Sequence, residues 1–319
     1  MKKRLIYTLS CSLTIIFMTG CTVKIPVNEV IPSKHSFLIN KKSEKSLALV
    51  NGLQENHTVE TGIFKKVFLL HYRNQRINGY NFVKENLEKE LSARSLPLSL
   101  NAASHEKIVL DDFSILTYRK NAYVPTVTLS TLKLTYKNKP IVSLVKRAKF
   151  QVAGVEPIID ACYNDAITIL FREAVAKLNK TIYGFSLDNS TIQKIQNKID
   201  LGLKNKDNDI YKKVYALGFS NNKNALPFLL NLVDNPDEYV RIASIGTLGL
   251  LGGETYLKEL VNIYYTSKYW SDKLMALKSI GDIQTTSSIH FLQQEKQKLI
   301  SPSSIEEEWY LNTINLYLE

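Results

Sequence analysis

Cysteine is scarce in this chain: three in 319 residues, at Cys11, Cys21 and Cys162. Too few remain for a disulfide framework once the amino-terminal pair is accounted for below, so Cys162 is expected to pack in a core. The five histidines, His35, His57, His71, His105 and His290, stand at no metal-ligand spacing. Gly52, Gly62 and Gly79 form no phosphate loop, and no Gly-x-Ser-x-Gly elbow occurs. No apolar run reaches the roughly 20 residues that span a bilayer. These absences remove the usual enzyme constellations, and neither cofactor nor metal is expected. The one candidate acid–base pair, Asp111-Asp112, reads first as solvated residues at a strand edge.

What is present begins at the amino terminus. Lys2, Lys3 and Arg4 precede a mostly apolar run from Leu5 to Met18, and Thr19-Gly20-Cys21 follow. Charged head, short apolar middle and small residues before a cut are the layout of a secretory signal peptide. With Cys21 directly after Thr-Gly, the stretch resembles a bacterial lipoprotein signal, although Met18 stands where that family usually carries Leu. The resemblance implies that residues 1–20 are removed and that Cys21 becomes a lipidated first residue. Two or more acyl chains there would anchor stably. Thr22, rather than Asp, follows the Cys, which in that family points to the outer membrane, with the folded part facing the periplasm of a Gram-negative bacterium.

The formal charge of +11 falls to +8 when the signal takes Lys2, Lys3 and Arg4 with it. A solvated Lys-rich surface accounts for that balance, with weak contact to anionic lipid or peptidoglycan as its main consequence. An exported protein has no nucleic acid to meet.

Residues 21–58, with Pro26, Pro32, Ser33 and Ser36, show no sustained period and read as the lipidated Cys and an extended tether. Residues 59–185 read as an α+β domain. Ile63 to Tyr72 is rich in aromatic and β-branched residues and predicts a strand. Val83, Leu87 and Leu91 step by four and predict a helix over Asn81 to Leu96. Ile108 to Tyr118 predicts another strand. Thr126 to Tyr136 and Ile141 to Val152 alternate around Asn138-Lys139-Pro140, which predicts an antiparallel hairpin. Val142, Leu144, Ala148 and Phe150 share one face of it and Ser143, Arg147 and Lys149 the other, so one side of the sheet is expected to meet water. A helix with Ile159, Tyr163, Ala166, Leu170, Ala174 and Leu178 on one stripe follows, ended by Gly184. This antiparallel sheet with two helices is similar in element order to small envelope-accessory lipoproteins.

Residues 186–319 repeat. Val214 to Gly218, Ile245 to Gly249 and Leu277 to Gly281 align with a period of about thirty residues. Asp237, Val240, Arg241, Ala243, Leu248 and Gly249 fit the turn, helix opening and ending of HEAT repeats, which this segment resembles. That likeness implies an all-α solenoid. Asp237 would cap the next helix, Arg241 would reach an Asp of an adjacent turn, and Gly218, Gly249 and Gly281 would end helices in the left-handed conformation. Ser190 and Ser304 would open end-capping helices through capping boxes.

The expectation is a lipid-anchored, non-catalytic envelope scaffold. It holds a protein partner through the solenoid's concave face, with Arg241, Tyr264, Tyr265, Tyr269 and Trp270 as contact residues. Two other roles fit the same sequence: an accessory subunit of an envelope transport or assembly system, and a cell-wall binder using Arg147 and Lys149.

Overall fold

The computed structural model describes residues 22–39, 43–53, 60–63, 66–151 and 154–319. Residues 1–20 and Cys21, the expected signal and lipidation site, lie outside them. No helix among the described residues is long and apolar enough to cross a membrane.

The first strand, β1 (Thr22–Val27), starts where a tether was expected, so that reading is corrected. It pairs in parallel with β4 (Lys66–Tyr72), with Ile25 fully buried and Val27, Val30 and Phe37 in the core. The ladder joins residues more than forty positions apart, which no local period could reveal. Pro26 is tolerated because β1 is an edge strand of its sheet. That small sheet runs β1-β4-β3, with β3 (Glu60–Ile63) antiparallel to β4 and β5 (Gln75–Arg76) hairpinned onto it.

The larger sheet runs β6-β2-β7-β8-β9, formed by β2 (Lys45–Asn51), β6 (Leu98–Leu100), β7 (Lys107–Tyr118), β8 (Thr126–Tyr136) and β9 (Lys139–Lys149). The β7–β9 meander is antiparallel as expected, whereas β2 is parallel to both its neighbours. Lys137 and Asn138, both at positive φ, make the two-residue turn between β8 and β9. That conformation matches the twist of paired strands.

Helix α1 (Gly79–Ala93) and a long helical run cover one face of this sheet. The run opens with α2 (Glu156–Ile158), carrying Pro157 in its first turn, passes through a π-turn at Ile159–Asn164, and continues as α3 (Asp165–Ile182). Phe82, Phe113 and Phe171 meet there, with ring centroids 5.8–6.2 Å apart. Cys162 is fully buried, and burial pushes its thiol up to about 11, as suits a packing residue.

Eight helices finish the chain in four antiparallel pairs. They are α4 (Asn189–Lys204) with α5 (Ile210–Gly218), α6 (Leu226–Leu230) with α7 (Glu238–Gly252), α8 (Leu257–Thr266) with α9 (Trp270–Ile283), and α10 (Thr286–Lys298) with α11 (Ile305–Leu318). Asp237 caps α7 through the amides of Tyr239 and Val240, as its position implied. Asp188, not Ser190, caps α4; the Ser190 hydroxyl donates to that carboxylate instead.

The glycines act differently from the expectation. Gly218, Gly249 and Gly281 are not at positive φ. They are helical residues where a neighbouring helix crosses with no room for a side chain: a Cβ would overlap Thr247 at Gly218, the Ser279 backbone carbonyl at Gly249, and the Tyr317 ring at Gly281. Gly249→Ala is therefore expected to destabilise the chain by about 2 kcal/mol, because overpacking against backbone outweighs the ~1 kcal/mol gain in helix propensity. Urea unfolding measures it, and an unchanged or raised midpoint would contradict the close crossing.

The expectation that one side of the sheet meets water fails at β9. Ser143, Val145 and Arg147 face α3 and its π-turn, and Val142, Leu144 and Lys146 on the opposite side are equally buried. The second covering layer is the carboxy-terminal helices, whose placement is a tertiary fact. For the same reason α3 buries Ile167, Phe171, Glu173, Val175 and Lys177 in addition to its predicted stripe.

Candidate functional site

The second helices of the pairs, α5, α7, α9 and α11, lie between the first helices and the α+β body. In α7 every residue from Val240 to Leu251 is buried, which fits a helix with protein on all sides. Its seam with the sheet is polar and matched. The Arg147 guanidinium lies between the rings of Tyr211 and Tyr239, 4.0 and 3.8 Å from their centroids, and donates to the Ala161 carbonyl. The Tyr239 hydroxyl accepts from the Ala148 amide and donates to its carbonyl, finishing the edge of β9. Lys146, a break in the alternation of its strand, reaches Glu238 at 2.6 Å and sits over the rings of Trp270 and Tyr239. Deeper in, Lys177 and Lys278 share Glu173 and Asp282 in a buried cluster joining α3 to α9.

This seam occupies the side of the repeats that meets β9 and α3. It also buries Arg147 to 6% exposure, which removes half of the basic sheet face considered for a cell wall.

The predicted contact residues separate into two groups. Arg241 is 7% exposed; its Nε donates to both carboxylate oxygens of Asp272 at 2.9 and 3.0 Å, and Nη1 donates to the Asn235 carbonyl. It is a strut between adjacent turns, as the repeat pattern implied, not a contact residue. Tyr264 is buried, its hydroxyl on Glu295. Tyr265 and Tyr269 are about half exposed, at 52% and 46%. Trp270 is half-buried against Trp309, with ring centroids 4.9 Å apart.

Two recesses open in this part of the repeats, one at Tyr269 and one at Trp270. A groove of about 450 Å³ runs between the α6–α7 and α8–α9 turns, walled by Pro236, Glu259, Asn262, Lys268 and Tyr269 over the Arg241–Asp272 pair. A hollow of about 630 Å³ opens where the sheet end meets α9 and α11. Tyr118, Pro125, Lys146, Glu238, Trp270 and Trp309 line it, so both tryptophans of the chain stand at one place. The indole Nε1 of Trp309 is buried with no hydrogen-bond partner. Sequence reasoning missed Tyr118 and Trp309 as site residues. They lie far apart in the chain, yet their rings meet edge to face at 5.6 Å.

Catalytic geometry is not assembled at the one acid pair. Asp111 accepts from the Thr135 hydroxyl and Asp112 from Ser114, at an irregularity in the β7–β8 ladder. Among the described residues no three His, Cys, Asp or Glu side chains gather as a metal site.

Stacked helix pairs, an Asp-capped second helix and an Arg–Asp strut to the next turn are the features that decide the comparison. Residues 210–281 match the family model of HEAT repeats. The HEAT segment runs from the start of α5 into α9. The third unit reads as degraded, with Ser271-Asp272-Lys273-Leu274 in place of Val-Arg, yet its Asp272 is the acceptor that Arg241 requires. Beyond the match, α10 and α11 pack on α9 and on each other as a further helix pair. A search of curated proteins gives no significant match.

Proposed function

We propose that the chain is a lipid-anchored envelope scaffold that holds a protein partner on the outward side of its HEAT repeats, over the groove beside Tyr269. The observation that carries this reading is the division of the repeat surface. The chain's own sheet occupies the inner helices, while Tyr269 and Lys268 remain outward beside a recess. An exposed tyrosine next to a groove is the residue type that binding hot spots favour.

The anchor part of the proposal rests on the signal-like sequence ending at Cys21. Because β1 begins at Thr22, acyl chains on Cys21 would join the folded body without a spacer and hold it against the membrane surface. Palmitate labelling that vanishes in Cys21→Ser tests the anchor separately.

For the scaffold, affinity capture from solubilised envelopes with the full chain is expected to lose its partner in Lys268→Ala/Tyr269→Ala. The loss corresponds to about 2 kcal/mol or more, roughly thirtyfold in affinity. The far-ultraviolet spectrum and urea midpoint should remain close to those of the unsubstituted chain. Undiminished capture would remove the groove from the proposal.

A further inference from the structure

A third recess, of about 380 Å³, lies on the other flank, where residues 31–35 cross α3, α4 and α5. Its composition is lopsided. Lys34, Arg94, Arg172, Lys198, Lys212 and Lys213 line it against a single lining carboxylate, Asp209. Neighbours neutralise part of this surplus. Arg94 donates to Glu90 at 3.0 Å, Lys212 pairs with Asp165 and Asp209, and Lys213 pairs with Asp207. Arg172 makes no ion pair: its guanidinium donates to the carbonyls of Ile31 and Pro32, and Glu90 and Asp165 act on it only from a distance. Lys34 and Lys198 are exposed at the rim and make no ion pair. Below them the floor is apolar, built from the buried Leu187 and Ile195 with Ala216, and the exposed Ile31 side chain stands at its edge.

The wall is pinned before any ligand arrives. The Ser33 amide donates to Glu90, Arg94 donates to the His35 carbonyl, and the Phe37 amide donates to the Arg94 carbonyl. A fixed, partly desolvated cationic surplus over an apolar floor is complementary to an anion that carries an alkyl group.

We propose that this recess binds a phosphate ester with a short apolar part, its anionic group on Arg172, Lys34 and Lys198 and its carbon chain on the Leu187–Ile195 floor. The volume admits a headgroup and the first carbons of a chain rather than a whole two-chain lipid. The site does not depend on the partner surface beside Tyr269.

His35 in the same wall supplies an internal reporter. Burial first, then the positive charges of Lys198, Arg94 and Lys194, hold its imidazole below the ordinary histidine range against the opposing pull of Asp188. An anion seated among those cations favours the protonated ring and moves its titration upward.

Calorimetry on the full chain with monomeric dihexanoylphosphatidylglycerol, dihexanoylphosphatidylcholine and inorganic phosphate tests the proposal. The expected result is that the phosphatidylglycerol binds at least about tenfold more tightly than the zwitterionic lipid. Lys34→Glu/Lys198→Glu, at two exposed positions, should weaken it by a similar factor. In the unsubstituted chain the His35 proton resonance should titrate at higher pH when the probe is saturating. Equal binding of inorganic phosphate and phosphatidylglycerol would overturn the ester part of the proposal, because the apolar floor would then contribute nothing, and would leave a free phosphate as the ligand. Binding of neither anion, binding indifferent to the charge reversal, or an unmoved His35 titration would overturn the proposal as a whole.

Discussion

Lys278→Met is expected to lower the stability of the folded chain by about 3–5 kcal/mol, the range for breaking a buried ion pair from one side. Lys278 is fully buried on α9. Its ammonium touches Glu173, Asp282 at 2.9 Å and the Gly246 carbonyl at 2.7 Å. Lys177 from α3 binds the same two carboxylates, and Tyr317 of α11 donates to Asp282. Two cations and two anions balance away from water. Methionine fills a similar volume, so the loss comes from the uncompensated carboxylate and not from a cavity.

Adding Glu173→Gln restores a balanced pair and should recover most of the loss in urea unfolding. A single-variant loss under about 1 kcal/mol would mean that the cluster is effectively solvated.

The same cluster sets a pH dependence. Burial alone would raise the Asp282 carboxyl, but the ammonium groups of Lys177 and Lys278 more than reverse this and hold it below the ordinary carboxylate range. The unfolded chain then takes up that proton first. Stability from this group is complete above the ordinary carboxylate pKa of about 4 and falls as the pH drops below it. For Lys278, the opposing carboxylates outweigh burial and raise its pKa, so its contribution is present below the ordinary lysine value of about 10 and lost as pH rises beyond it. The acid limb of the stability profile should become shallower in Lys278→Met.

A chain ending at Gly184 is expected to show no cooperative unfolding transition. Such a chain keeps the whole sheet and α3, and its sequence reads as a complete α+β domain. The cut nevertheless strips Lys278 and Asp282 from Glu173 and Lys177, and uncovers Val142, Leu144 and Lys146 on β9, all close to fully buried in the intact chain. Uncovered apolar surface together with the loss of the Lys278 and Asp282 partners exceeds what a marginally stable domain can lose. A broad, non-cooperative urea profile with strong binding of a hydrophobic dye is the expected signature. A sharp transition near that of the full chain would show that the α+β body folds independently of the repeats.

Much of the secondary structure was legible in local pattern. Leu132, Leu134 and Tyr136 alternate into the core of β8, Val83, Leu87 and Leu91 stripe α1, and Asp237 announces the start of α7. The repeat period near thirty residues exposed the HEAT pairs, because each pair must present the same apolar face to its neighbours. The partner residues were read less well. Tyr265 and Tyr269 are half exposed although Tyr265 donates to Glu295 and Tyr269 stacks on Arg241, whereas Tyr264 and Arg241 are buried on Glu295 and Asp272. Aromatic and cationic side chains serve core and surface alike, and a heptad-scale pattern does not distinguish the two uses.

Local chemistry within a few turns of chain was enough for the strands of the meander, most of the helices, the Asp237 cap, the HEAT-like period and the signal-like amino terminus. Tertiary structure alone decided the rest. It placed β1 against β4 where a tether was expected, closed the repeats over β9, gathered Glu173, Lys177, Lys278 and Asp282 into one buried cluster, and brought Tyr118 beside Trp309. Each of these joins residues from distant parts of the chain. Burial on the second face of a strand, or a charge matched only across an interface, leaves no periodic trace in either partner's own segment.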